Sequence, residues 1–354
     1  MTLLITTIGS LPYNDPKKAL EILLKYTPDI PAWPQLPKRS FLENMYVQYS
    51  ENFPGGIIDK NSQKIYVDTQ KAYSGLERFY ENFLTNNIDY FSISPEYASG
   101  FHQLISKLTT NNLKLKTIKC QATGPITFGL AIKDENNQSI FYNEQLRDAV
   151  IKHITMKSVW QIKQLSFIIP YLSSLILFLD EPYLASYGSA FTAISREEII
   201  FSLQEVISGI RNSFNSITQS LKHLSTLYIG VHCCANTDWS ILLETDIDIL
   251  SFDAYEFFDN LILYSEKIKS FIERGGKLAW GIVPTSEEYL KNENSKTLIE
   301  KLKNKIEQLN KKNIDIKKIT EQILITPACG LGIKTEETAE LALFLLSELT
   351  KFQI

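Results

Sequence analysis

Short apolar runs that stop at polar or glycine-containing loops alternate along this chain with longer stretches whose apolar residues recur at helical spacing. Eight runs predict strands: Leu3–Ile8, Tyr90–Ser94, Leu115–Cys120, Ile176–Leu179, Leu227–Val231, Ile249–Asp253, Leu278–Ile282 and Leu324–Pro327. Each is followed by a segment able to return as a helix. That order predicts an α/β chain folded as a single (β/α)₈ TIM barrel over residues 1–354.

The helical stretches carry their own punctuation. Ser195-Arg196-Glu197-Glu198 is a capping box, followed by Ile199, Leu203, Val206, Ile207, Ile210 and Phe214 on one face. Leu298, Leu302, Ile306 and Leu309 form an apolar stripe on a Lys/Asn/Glu-rich helix, and Thr335-Glu336-Glu337 opens a last helix through Leu341, Leu345 and Leu349. Two connections are long. Residues Tyr26 to Lys64 are rich in proline, with Pro28, Pro31, Pro34, Pro37 and Pro54, and predict a lid or rim after the first strand. Ile132 to Asn143 reads as a polar hairpin.

Composition narrows the class. A net charge of −4 with acidic and basic residues interspersed argues against a nucleic-acid binder. The most apolar run, Leu165 to Leu179, is interrupted by Pro170 and ends at Asp180, too short for a bilayer. Met1 to Thr7 lacks a basic region and reads as a strand rather than a secretory leader, so a cytoplasmic protein is expected. Four cysteines are too few for a disulfide framework.

Three of the chain's four cysteines and four histidines fall in His232-Cys233-Cys234. Alternation along a strand sends His232 and Cys234 to one face and Cys233 to the other. A barrel places its chemistry at the C-terminal strand ends. Collected there are Gly9-Ser10, Glu96, Gly124-Pro125, Asp180-Glu181-Pro182, His232-Cys233-Cys234, Asp253 and Cys329. One imidazole and two thiols on one rim suit zinc, with Asp253 either as a fourth ligand or as a carboxylate bonded to the ligand imidazole. Such a site would hold a further thiol as thiolate, the nucleophile for methyl transfer. Asp180 and Glu96 would receive an ammonium, and the Gly9-Ser10 backbone a carboxylate. Together these describe an amino-acid thiol. His102, His153 and His223 have no partner spacing and read as core or surface residues.

These residues resemble the C-terminal catalytic barrel of cobalamin-independent methionine synthase. The matches are Thr7-Ile8-Gly9-Ser10, Thr123-Gly124-Pro125-Ile126-Thr127, Asp180-Glu181-Pro182, His232-x-Cys234, the strand Asp248–Asp253 and Pro327-Ala328-Cys329-Gly330-Leu331. The resemblance implies that His232, Cys234 and Cys329 bind zinc. It implies that Ile8, Gly9, Ser10, Asp180 and Glu96 hold homocysteine, and that the fourth ligand, a glutamate in the family, stands at Asp253. The chain departs from the family in having Ala131 near a family tryptophan, Ser186 at a family glutamate, and no histidine in Gly281–Glu287 to protonate a departing folate. It lacks room for the second, folate-binding barrel. The pattern is similar to the short core methionine synthases and implies a methylcorrinoid, free or on a partner protein, as donor: cobalt(I) leaves without a proton, a folate amine does not. Two other readings stand beside it. One is methyl transfer to another thiol, as in the coenzyme M methyltransferases of the uroporphyrinogen decarboxylase-like superfamily. The other is a non-catalytic zinc- or corrinoid-binding module.

Overall fold

In the computed structural model, which describes residues 3–111, 115–168, 171–189, 192–219, 221, 223–321 and 323–353, seven of the eight predicted strands are present. Met1, Thr2 and Pro170 lie outside the described residues. In chain order the strands are β1 (Leu4–Ile5), β2 (Gly56–Asp59), β3 (Lys64–Val67), β4 (Thr117–Thr123), β5 (Lys133–Asp134), β6 (Ser174–Asp180), β7 (Thr226–Cys233), β8 (Ile249–Phe252), β9 (Lys277–Val283) and β10 (Ile323–Pro327). A seven-stranded parallel sheet runs β1-β10-β9-β8-β7-β6-β4, and β2, β3 and β5 form a small separate sheet. The polar excursion is the hairpin expected: Asp134 N–H bonds Gln138 C=O at 2.8 Å, and β5 pairs with β3.

The predicted strand at Tyr90–Ser94 is a correction. Ile88–Phe91 is a 3₁₀ turn there, and the Ser94 amide bonds the Glu51 carboxylate instead of a neighbouring strand. The gap between β1 and β4 is spanned by residues 30–35. Thr6 Oγ1 donates to Ile30 C=O, the Lys119 amide to Pro31 C=O and the Gln35 amide to Gly9 C=O, at 2.7, 3.0 and 3.0 Å. Isolated parallel bridges join Ala32 to Lys119 and Ser10 to Gln35. Both edges of the sheet are thus bonded to one segment, which curls the sheet toward a barrel without closing it by a continuous strand ladder. Pro31 and Pro34 have no N–H to give a ladder, so the eighth wall position cannot be a regular strand.

Seven apolar side chains, Ile30, Ile176, Phe178, Tyr228, Ile249, Ala279 and Leu324, fill the barrel interior, Tyr228 only partly buried. A larger apolar layer lies between the sheet and the outer helices. The Ser195 capping box opens the helix Arg196–Thr218, whose buried face includes Ile199, Leu203, Val206, Ile207, Ile210 and Phe214. Thr335 caps Glu336–Glu348 by accepting from the Thr338 amide. His153 is fully buried, with Nε2 bonded to Tyr49 C=O at 2.7 Å. No helix among the described residues is long and apolar enough to cross a membrane.

Candidate metal centre

Parallel register sets the level of the site. Thr123, Asp180, His232 and Ser251 are consecutive partners across β4, β6, β7 and β8, so their side chains share one interior layer at the C-terminal end of the barrel. The pairing of β10 with β9 shifts between Thr326 and Pro327. This irregularity ends the strand and sends the chain across the mouth, two residues before Cys329.

His232, Cys234 and Cys329 each offer a ligand atom, and all three atoms lie within 4.8 Å of one another. His232 is buried, its Nδ1 is 3.0 Å from Ser251 Oγ, and its Nε2 has no partner in the protein. A buried ring nitrogen facing two sulfurs without a hydrogen bond is a donor disposed to ligate a cation. The thiols point the same way. Sharing a proton with Cys329 holds Cys234 below the usual thiol range, while the Cys329 thiol is pushed up by the same contact and by burial. Two sulfurs this close ionise together only with a cation between them. The donor set fits zinc. Cys233 stands apart, buried, with Sγ 3.4 Å from Ala235 C=O and its thiol pushed up to about 12 by burial.

Beside this group lies a cavity of about 270 Å³. Its walls include Ile8, Ser10, Gln35, Glu43, Asp180 and Ile333 as well as the three candidate ligands, and no Lys or Arg among the described residues lines it. Asp180 is buried with Oδ1 unpartnered, and burial pushes its carboxyl up against the pull of Lys119 and His232. Gly9 turns at φ +136°, and a Cβ there would meet the Gln121 side chain at 2.6 Å. The turn brings Ser10 onto the Cys329 loop: the Leu331 amide bonds Ser10 C=O at 3.0 Å and the Gly332 amide bonds Ser10 Oγ at 3.2 Å. Ser10 therefore fixes the loop that carries Cys329. Beneath the turn, fully buried Lys119 donates to Ile8 C=O.

Two expected site residues lie elsewhere. Glu96 pairs with Lys60 at 3.6 Å, exposed, in a surface depression with Arg39, Ser40 and Leu42. The strand expected just before it, Tyr90–Ser94, does not form, so nothing carries it to the mouth. Asp253 is buried but outside the ligand group; its Oδ1 accepts from the Glu256 amide at 2.9 Å, and burial pushes its carboxyl up to about 6. Its carboxylate is occupied in shaping the turn after β8. Asp253, expected as a fourth ligand, is not among the converging ligand atoms, and the hydrogen bond to the His232 imidazole, its alternative role, is made by Ser251.

Glu181 explains two of the sequence motifs. Fully buried, it accepts the amides of Ile126 and Thr127 at 2.9 and 2.7 Å, and a Cβ on Gly124 would come within 2.2 Å of its Oε1. Gly124-Pro125-Ile126-Thr127 and Asp180-Glu181-Pro182 are thus two halves of one contact that fixes the strand end bearing Asp180. The sequence also gave no weight to Ser251, a hydroxyl within an apolar strand, or to Glu43. Only the pairing of β7 with β8 reveals the first, and the fold of the proline-rich segment the second.

No protein-family model matches the chain, and no curated protein matches it. Among solved structures, a methyltransferase from Methanosarcina mazei superposes with a TM-score of 0.52 at 11% identity, over 99% of this chain and 95% of that one. At that identity the likeness establishes a shared barrel fold.

Proposed function

We propose that this protein is a zinc-dependent methyltransferase that converts homocysteine to methionine, taking the methyl group from a methylcorrinoid carried by a partner protein rather than from methyltetrahydrofolate. The observation that carries the reading is the cavity itself: His232, Cys234 and Cys329 stand at one wall, Asp180 presents a free buried oxygen, and no Lys or Arg among the described residues lines it. A sulfonate-bearing thiol would meet only acidic and neutral groups there, whereas an ammonium gains an acceptor. The shared fold with a methyltransferase, and the sequence resemblance to the methionine synthase barrel, support the same reading.

The chain's own groups divide the work. His232, Cys234 and Cys329 would hold zinc, and the Ser251 hydroxyl would accept the Nδ1 proton of the tautomer that leaves Nε2 free to do so. Zinc bound there would keep an incoming thiol as thiolate at neutral pH. Asp180 receives the substrate ammonium, and the turn Ile8-Gly9-Ser10, braced by Lys119 and by the Cys329 loop, receives its carboxylate. These contacts orient the sulfur toward the open mouth. There the thiolate would take the methyl group from the donor corrinoid, whose cobalt would keep the electron pair of the broken C–Co bond, so no proton donor would be required. Gly281–Glu287 contains no histidine to supply one. We place this chemistry in the reducing cytoplasm.

The test incubates zinc-loaded protein with homocysteine and either methylcobalamin or methyltetrahydrofolate, and follows methionine. Methionine from methylcobalamin alone is expected. Formation from the folate would overturn the donor assignment, and methylation of 2-mercaptoethanesulfonate in preference to homocysteine would overturn the acceptor.

A further inference from the structure

The barrel wall is open between β1 and β4, where residues 30–35 stand in for a ladder. The candidate ligands lie on different strands around this wall. His232 and Cys234 stand at the end of β7, whereas Cys329 follows β10, the neighbour of β1. Without a ladder across the opening, side chains must hold the β1 edge, and Cys329 beside it, in place.

At the site end one side chain crosses the opening. Lys119 is fully buried in β4, and its Nζ donates to Ile8 C=O, three residues past the end of β1. The register of β1 with β10 stops at Ile5, so it supplies no donor for that carbonyl. The other neighbours of Nζ are Gln121 Oε1 at 3.3 Å and the Phe178 ring, its centre 4.6 Å away. Burial pushes the ammonium down to about 8, with Asp180 and Cys120 opposing, so it stays charged at neutral pH. An ammonium buried on such partners is costly where an apolar side chain would fill the space. What it secures is the turn above it. A Cβ on Gly9 would meet the Gln121 side chain at 2.6 Å, so the turn rests on the same amide that Lys119 touches. Ser10 then carries the constraint to the ligand loop: its C=O and Oγ accept the Leu331 and Gly332 amides, and a Cβ on Gly330 would come within 2.2 Å of its Oγ. Cys329 immediately precedes Gly330.

We propose that Lys119 is a positioning residue for the metal centre: by tying Ile8 to β4 across the open side of the barrel it fixes the turn Ile8–Ser10, and through Ser10 it holds Cys329 beside His232 and Cys234. The proposal rests on the zinc reading given above and is independent of which thiol or methyl donor the site takes.

Cobalt(II) in place of zinc reports the ligands directly, because its sulfur-to-metal charge-transfer band strengthens with each bound thiolate. Zinc affinity by chelator competition, the cobalt spectrum at saturating metal and the melting temperature of the metal-free chain are measured for wild type, Lys119→Met, Ser10→Ala and the double variant, with Cys329→Ser as the one-thiolate reference. Lys119→Met should bind zinc about 10- to 100-fold more weakly, the range usual for groups that support a ligand, and its cobalt band should fall toward that of Cys329→Ser. Ser10→Ala should act in the same direction, and the double variant should lie within about three-fold of the weaker single variant, because both changes interrupt one path. Lys119→Gln, a neutral side chain one atom shorter, replaces the methionine variant if that does not fold. A zinc affinity within about two-fold of wild type, or a lower melting temperature with an unchanged band, overturns the proposal and leaves Lys119 as a brace of the barrel alone. Losses that multiply in the double variant overturn the route through Ser10. A wild-type chain that binds neither metal removes the zinc reading itself, and the proposal with it.

Discussion

Ser251→Ala isolates the one contact that orients the candidate imidazole. Ser251 is fully buried, it is the register partner of His232, and its Oγ lies 3.0 Å from Nδ1. For Nε2 to face a metal, Nδ1 must carry the proton and donate it to that hydroxyl. Removing the hydroxyl leaves a buried N–H unsatisfied, a cost of about 1–3 kcal/mol, and frees the ring to adopt the other tautomer. If that cost falls on the metal-bound state, zinc affinity drops by about 10- to 100-fold, the range usual for such supporting groups. Competition against a chromophoric chelator reads the affinity directly. Thermal denaturation of the metal-free protein separates any general loss of stability. Ser251→Thr keeps the hydroxyl and should stay within a few-fold of wild type. A zinc affinity for Ser251→Ala within about two-fold of wild type would refute the argument that this hydroxyl sets the ligand geometry.

Cys234→Ser and Cys329→Ser should each lose most bound zinc, while Cys233→Ser should retain it, because the Cys233 sulfur faces Ala235 C=O rather than the ligand group; metal content of the purified variants checks this. Lys157 is fully buried, donates to Ser92 C=O at 2.7 Å, and is pushed down to about 7 by burial. Between about pH 7 and the ordinary lysine range near 10.5 the unfolded chain therefore binds more protons than the folded one, so stability rises with pH across that window. Lys157→Met should flatten that rise in a series of denaturation curves, and an unchanged slope would contradict the assignment.

The barrel was legible where apolar runs end abruptly. His232, Cys234 and Cys329 stand in unlike motifs nearly a hundred residues apart, yet parallel strands bring their ends to one rim, and the three ligand atoms do converge there. Asp180 was legible for the same reason. The failures share a cause as well. Pro31 and Pro34 make the segment that fills the eighth wall position read as loop, while the apolar alternation of Tyr90–Ser94 reads as a strand that would bring Glu96 to the site. Glu43 was hidden inside the same proline-rich segment. Asp253 shows a different limit: a carboxylate at the right strand end is engaged by its own turn, and only the bond to the Glu256 amide reveals that.

The central claim is that this rim holds one zinc through His232, Cys234 and Cys329 and keeps a position for an incoming thiol. Zinc-edge X-ray absorption on the loaded protein, with and without homocysteine, measures both parts at once. One zinc per chain with two sulfur neighbours, rising to three when homocysteine is added, is the predicted result. A sulfur count unchanged by homocysteine, or zinc that fails to bind the wild-type chain stoichiometrically, would contradict it.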